Sequence, residues 1–405
     1  MQFHQQVSAE FESDMTSTNS ADERKTGMLL CLAVCSGLGV ANVYYLQPAL
    51  PLIQMEYGVS PEQVGWLPTL TQISYAVGMF FLAPLGDVIA RRKLVFIKAS
   101  VLAMALLAAG SSSGFVVLLC ASAVVGILGS LGQDFIPVAA QLVPNHSRGR
   151  AVGIVTTGLL SGVLLSRTLG GLISETAGWR EMQFIAAALM LAVLAIAWRI
   201  LPNDPPASSS SYGRLISSLW TLWRTHRALR LVVLNQAVLS LVTGAFWSCI
   251  AFVLAAPPYN VGAAVAGSYG IAGAMGAMAA SVFGRVSDTR GPLFSIRLGC
   301  FLVIIAFAAM AILPSSFLLL AIGAIVFDVG AQAGFVSHQM LVSGLDPQAR
   351  SRTNALLMTG AMTGVATGAF LGNFFWVHGG AAGLFGFAAV AGVFALLISY
   401  CHRRV

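Results

Sequence analysis

Three charged side chains stand inside long apolar runs of this sequence: Asp134, Arg167 and Asp328. An ion in such a run is costly unless it is paired or hydrated, so each is a functional hypothesis from the start. Asp328 lies about 11 residues into its run, roughly 16 Å at 1.5 Å per residue, close to the middle of a bilayer core. A carboxyl at that depth could bind a proton from one side of a membrane and release it on the other, which makes Asp328 the first proton-coupling candidate. The alternative is a carboxyl satisfied by Gln332 or Ser337 in a packed interface. Asp134, beside Gln133 and before Pro137, sits nearer one end of its run. It is the second candidate, for coupling or gating, against packing or helix termination. Arg167 lies about 16 residues into its run, roughly 24 Å, and by depth is no obvious partner of either acid. It could bind an anionic group of a substrate, hydrogen-bond to the first apolar run, or snorkel to the outer interface. Lys98, one turn inside its run, is expected to snorkel. No HExxH zinc motif, phosphate-binding loop or Ser/His/Asp set accompanies these residues. The six cysteines, Cys31, Cys35, Cys120, Cys249, Cys300 and Cys401, have neither disulfide nor metal spacing. No enzymatic activity, cofactor, metal or direct ATP drive is expected.

The chain that must position these charges has 405 residues, 57% hydrophobic and only 9% charged, against about 25% charged in soluble domains. A water-soluble fold is excluded. A spanning helix takes about 20 residues, and the apolar runs number twelve, six from Met28 to Leu201 and six from Leu229 to Tyr400. The expected class is an all-α membrane protein of twelve transmembrane helices. Its expected parts are a polar tail over 1–26, a six-helix lobe over 27–201, a linker over 202–228 and a second six-helix lobe over 229–405 that ends in a short tail. The first tail lacks the basic start of a cleaved signal peptide, so the first run reads as a retained helix. The linker opens with PNDPPASSSS, and Leu215 to Leu231 reads as an amphipathic helix on the membrane surface. The net charge of +7 does not point to nucleic acid. With both termini cytoplasmic, every Lys and Arg except Arg167 and Arg180 falls at the cytoplasmic face, as the positive-inside rule requires.

The halves repeat at an offset close to 202 residues. Asp87 in GDVIARRK matches Asp288 in SDTRG, Arg148 and Arg150 match Arg350 and Arg352, and Gly158, Gly162 and Gly170 match Gly360, Gly364 and Gly372. Duplicated halves suit a secondary transporter whose substrate site lies at the midplane between them. From Gly27 onward the chain resembles the major facilitator superfamily. The run from Ala83 to Lys93 is similar to that family's G-x-x-x-D-R-x-G-R-K element, with Ala83, Val88 and Ala90 as departures, and Gly284 to Gly291 is its second copy. Gly153, Gly162, Ser166, Arg167, Gly170 and Gly171 resemble the glycine pattern of the proton antiporters, with Ser166-Arg167 in place of Gly-Pro. Small residues at this spacing also serve close helix packing alone.

The resemblance implies a two-lobed transporter of a bacterial cytoplasmic (inner) membrane, working as a monomer by alternating access. Its expected activity is export of a small organic molecule, drug-like or sugar-like, in exchange for protons. Proton-coupled uptake and a sensor without flux are the alternatives. Asp87, Arg91 and Arg148, with Asp288 and Arg350, would form the cytoplasmic gate, Asp87 meeting the start of the eleventh helix. The cavity would be lined by Arg167 with Asn42, Tyr45, Gln72, Tyr75, Asn235, Gln236, Trp247, Tyr269 and Gln332. His338, near the inner end of the tenth run, reads as an interfacial histidine.

Overall fold

The computed structural model describes residues 26–82, 84–144, 147–201, 212–345 and 350–401. The described residues form helices and connecting turns, with no strand among them. The first helix, α1, spans Thr26–Ala41, and after a turn over 42–46 the chain continues as the short helix Leu50–Tyr57. Then come α2 (Pro61–Leu82), α3 (Arg91–Gly110) and α4 in two pieces (Phe115–Leu128, Leu131–Gln141). The first half closes with α5 (Arg148–Thr176) and α6 (Trp179–Ile200). The second half opens with α7 (Arg227–Ala255) and α8 in two pieces (Ala263–Ser268, Gly270–Arg290). It continues with α9 (Pro292–Ile312) and α10 (Phe317–Leu345). The helical stretch Arg350–Cys401 is broken at Gly380, whose φ of 59° favours glycine, and so divides into α11 (350–379) and α12 (381–401). Eight of the described helical stretches are long and apolar enough to cross a membrane. Leu165, Leu169 and Leu172 on α5, and Phe301, Ile305 and Ile312 on α9, lie exposed on the outer surface at helical spacing, as lipid contact demands.

Two cores hold the two lobes. One gathers buried residues from Leu29 to Leu201, with Phe135 and Leu102 at its centre, and the other runs from Leu239 to Ala395 around Phe246, Phe307 and Phe327. The internal repeat becomes a packing rule. A Cβ on Gly162 of α5 would strike the Gly37 backbone of α1, and one on its repeat mate Gly364 of α11 would strike the Ala237 backbone of α7. Each pair of helices is therefore glued through the same small-residue position.

Between the lobes the closest packing joins α5 to α8 and α2 to α11. The α5–α8 contacts lie at the end away from residues 26 and 401, whereas α2 keeps contact with the second lobe further along, Tyr75 and Met79 clustering with Met362 and Phe80 packing by Leu219 and Leu357. Gly171 faces the Ala263 backbone, Thr168 Oγ1 donates to the Gly267 carbonyl at 3.1 Å, and Asn373 Nδ2 donates to the Pro61 carbonyl at 3.4 Å. Phe252 and Trp376 of the second lobe join Ala49, Leu50 and Ile53 of the first in one apolar cluster at the far end. Toward the other end, a Cβ on Gly153 of α5 or Gly284 of α8 would meet no atom within 4 Å. α5 and α8 are thus closed together at the far end and part toward the end that carries the termini, while α2 keeps its contact with the second lobe there.

Two expectations are corrected. The linker helix, Tyr212–Thr225, does not lay its apolar face on lipid: Leu219 and Leu222 are buried with Leu229, Val342 and Leu357 of the second lobe, and Tyr212 donates to the Phe81 carbonyl of α2 at 2.9 Å. Lys98 does not snorkel. It is 2% exposed and its Nζ lies 2.7 Å from Asp134 Oδ2 and 3.2 Å from Ser130 Oγ, because the break in α4 at Gly129–Ser130 presents both groups to α3.

Candidate substrate and proton site

Just below the sealed end, side chains from both lobes converge on Arg167. Its Nε donates to Gln47 Oε1 at 3.0 Å, and one terminal nitrogen donates to the Val163 carbonyl one turn back at 3.3 Å. The guanidinium plane is held between two rings, with its carbon 4.6 Å from the centre of Tyr44 and 4.4 Å from that of Trp247. Tyr44 belongs to the turn after α1 in the first lobe, and Trp247 to α7 in the second. Cation–π contacts of this kind are worth about 2 kcal/mol or more when dry, and Arg167 is 7% exposed. Across the gap, the Asp328 carboxylate attracts the Arg167 charge and faces the Trp247 indole. Asp328 is also buried and lies near Gly273 of α8, where a Cβ would reach it at ordinary van der Waals distance and would strike Leu164 of α5 instead. Its neighbour Phe327 packs against Phe246 and Phe307, with ring centres 4.6 and 5.0 Å apart, which fixes the rotation of α10 and so the aim of Asp328.

The pair of buried charges is a single electrostatic object built from two lobes. Removing one partner of such a pair costs several kcal/mol, because the other is left unpaired in low dielectric. Whatever neutralises Asp328 therefore alters the attraction between α5 and α10. Depth along separate helices hid this pairing: Arg167 and Asp328 lie at comparable levels only once α5 and α10 are placed in one bundle. Snorkelling of Arg167 is excluded by its burial, and its hydrogen bond goes instead to Gln47, just beyond the first apolar helix.

The remaining expected residues divide. Gln72 lies beside Tyr44, and Tyr75 clusters with Tyr44 near Gln133, so both join the wall beside Arg167. Asn42 turns into the first lobe, its amide nitrogen donating to the Leu38 carbonyl at 2.8 Å and lying 3.5 Å from Met190 Sδ, and Tyr45 is buried in that lobe's core. Gln236 Oε1 lies 2.9 Å from His338 Nδ1, and its amide nitrogen donates to Ser240 Oγ at 2.9 Å, which makes His338 a buried member of a second-lobe network rather than an interfacial one. Asn235 is fully buried on the same helix, Tyr269 packs near Phe317, and Gln332 is half-buried one turn beyond Asp328. Asp134 is committed to Lys98. Arg91 is half-buried at the start of α3 and its charge reaches Asp134, while Arg148 and Asp288 are exposed. The side chains of Asp87 and Arg350 lie outside the described residues. Sequence reading missed Tyr44 and Gln47. Both fall in the stretch over 42–49, where helical periodicity stops and a neighbour-by-neighbour choice between Tyr44 and Tyr45 has no pattern to rest on.

The profile of the Major Facilitator Superfamily matches residues 29–345. The chain belongs to that superfamily. It is a membrane transporter and not an enzyme. Among curated members it is 32% identical over 371 residues to the uncharacterized transporter YgaY of Escherichia coli O157:H7, covering 91% of this chain and 93% of that one. It is 23% identical over 380 residues to the multidrug resistance protein MdtG of Proteus mirabilis, covering 90% and 92%. Among solved structures, a bacterial homologue of the human lysosomal transporter Spinster superposes with a TM-score of 0.76 at 16% identity, over 94% of this chain and 97% of that one. A structure of the nucleoside transporter NupG superposes at 0.73 with 12% identity, over 93% and 99%. These superpositions confirm the two-lobed, all-α fold of the superfamily.

Proposed function

We propose that this transporter exports a small organic molecule, drug-like or sugar-like, from a bacterial cytoplasm in exchange for protons. The observation that carries the reading is the Arg167–Asp328 pair, one charge from each lobe, buried just below the sealed end. With Asp328 ionised, the pair and the Trp247 bridge hold the lobes together at the midplane. A proton arriving on Asp328 cancels that attraction and removes the ionised carboxylate, so a proton and a substrate group that donates to that carboxylate compete for one side chain. This competition is what antiport needs. The positive-inside count puts both termini in the cytoplasm, so the open end of this conformation faces inward and would load cargo for export. Asp87 at the start of α11, with Arg91, Arg148, Asp288 and Arg350, would latch the inner end in the opposite state. The resemblance to a multidrug resistance protein agrees with a drug-like cargo.

The test is a growth screen across toxic compounds and sugars with cells expressing the wild type, Asp328→Asn or no transporter, at matched membrane levels. Resistance conferred by the wild type and lost in Asp328→Asn is the expected result. Resistance retained by the variant would place the proton elsewhere, and sensitisation by the wild type would overturn export in favour of uptake.

A further inference from the structure

The far end of the lobe interface contains a contact that no feature of the midplane site requires. Glu175, in the last turn of α5, extends its carboxylate across the interface, where Oε2 accepts a hydrogen bond from the Ala264 backbone N–H at 2.6 Å. Ala264 is the second residue of α8, so the carboxylate caps the positive N-terminal end of a helix in the other lobe. The residue before that helix, Gly262, has φ −82° and ψ −177°, a conformation any residue adopts. A Cβ there would meet the Glu175 carboxylate, the end of an exposed and flexible side chain, and would displace it. Below it, Gly171 against Ala263 and Thr168 against Gly267 complete the seam down to Arg167. The cation nearest in sequence on this face is otherwise engaged, since Arg180 is bound by Glu56 at 2.7 Å and by the Gly110 and Ser112 carbonyls.

We propose that Glu175 is the latch of the outer gate. It acts as a helix cap that exists only while α5 and α8 are closed together at the far end, and it must be released before the transporter opens outward. Sequence comparison of the two halves does not show it, because the contact pairs a residue of one half with the backbone of the other.

The inference rests on the orientation proposed above, and the test separates the two. In full-length protein carrying Ser174→Cys, a buried position next to Glu175, labelling by a membrane-impermeant maleimide is followed by peptide mass spectrometry in right-side-out and inside-out vesicles. Glu175→Gln is expected to speed labelling in right-side-out vesicles about three- to tenfold, the effect of losing one helix cap. Gly262→Ala keeps the carboxylate but displaces it and is expected to do the same, so failure of one variant to fold leaves the other to decide. Alternating access demands the reverse change inside: a Gly153→Cys reporter, in open space here, should label more slowly from the cytoplasmic side in both variants. Glu181→Gln, which removes an exposed charge near this face without touching the seam, should change neither rate. Unchanged Ser174→Cys labelling in both variants would overturn the latch, as would acceleration without slowing at Gly153→Cys or an equal effect of Glu181→Gln. Labelling of Ser174→Cys confined to inside-out vesicles would instead overturn the orientation and leave the latch standing at the opposite face.

Discussion

The guanidinium of Arg167, on α5, lies 4.4 Å from the ring centre of Trp247, on α7 of the other lobe. The same indole faces the Asp328 carboxylate on α10, both lying beside Gly273 of α8. One tryptophan thus touches both members of the buried charge pair, and the lobes cannot separate at this level without breaking the contact to Arg167.

The two roles of Trp247 are separable. Trp247→Phe keeps a ring face for Arg167 and removes the indole N–H that faces Asp328, so initial transport rates should fall by up to about tenfold. Trp247→Leu should fall further, and Arg167→Lys should match it, because an ammonium cannot lie flat between two rings while donating to Gln47. Equal rates for the Phe and Leu variants in energised vesicles would remove the ring face from the account.

Lys98 and Asp134 form a buried pair within one lobe, 2% and 8% exposed, and we expect it to be architectural. Lys98→Met alone should lower stability by about 3–5 kcal/mol, since it strands a carboxylate in the core, whereas Lys98→Met with Asp134→Leu should be nearly neutral. Thermal midpoints of the solubilised protein check both statements. Transport by the double variant checks the architectural role, and its loss would return Asp134 to the coupling machinery.

Two glycines on α5 should respond oppositely to alanine. Gly162→Ala drives a methyl into the Gly37 backbone and should cost about 1–3 kcal/mol or prevent assembly. Gly153→Ala meets nothing and should gain up to about 1 kcal/mol from helix propensity. Membrane yield and thermal midpoint read both.

Asp87→Asn should impair transport while leaving membrane insertion intact, because the carboxylate is proposed to hold the inner gate and not the lobe fold. Normal flux at normal membrane levels would remove Asp87 from the gate.

The sequence alone determined the class of this protein. Twelve apolar runs, the offset of about 202 residues and the Asp87 and Asp288 elements follow from local composition and spacing, which the bilayer constrains strongly because every backbone polar group must be satisfied within a helix. It also singled out Arg167 and Asp328, since charge in an apolar run is conspicuous wherever the run ends up. What tertiary structure decided is which of these groups meet. Lys98 and Asp134 pair because a break in α4 turns Asp134 and Ser130 toward α3. Tyr44, and not Tyr45, faces Arg167 because the helix gives way to a turn after Ala41. Glu175 carries no mark in the sequence, and its partner appears only when α8 of the other lobe is set against it. Depth in the membrane can be counted along one helix, but rotation and the choice of partner depend on how two lobes pack, and that is a property of side-chain volumes summed over the whole interface.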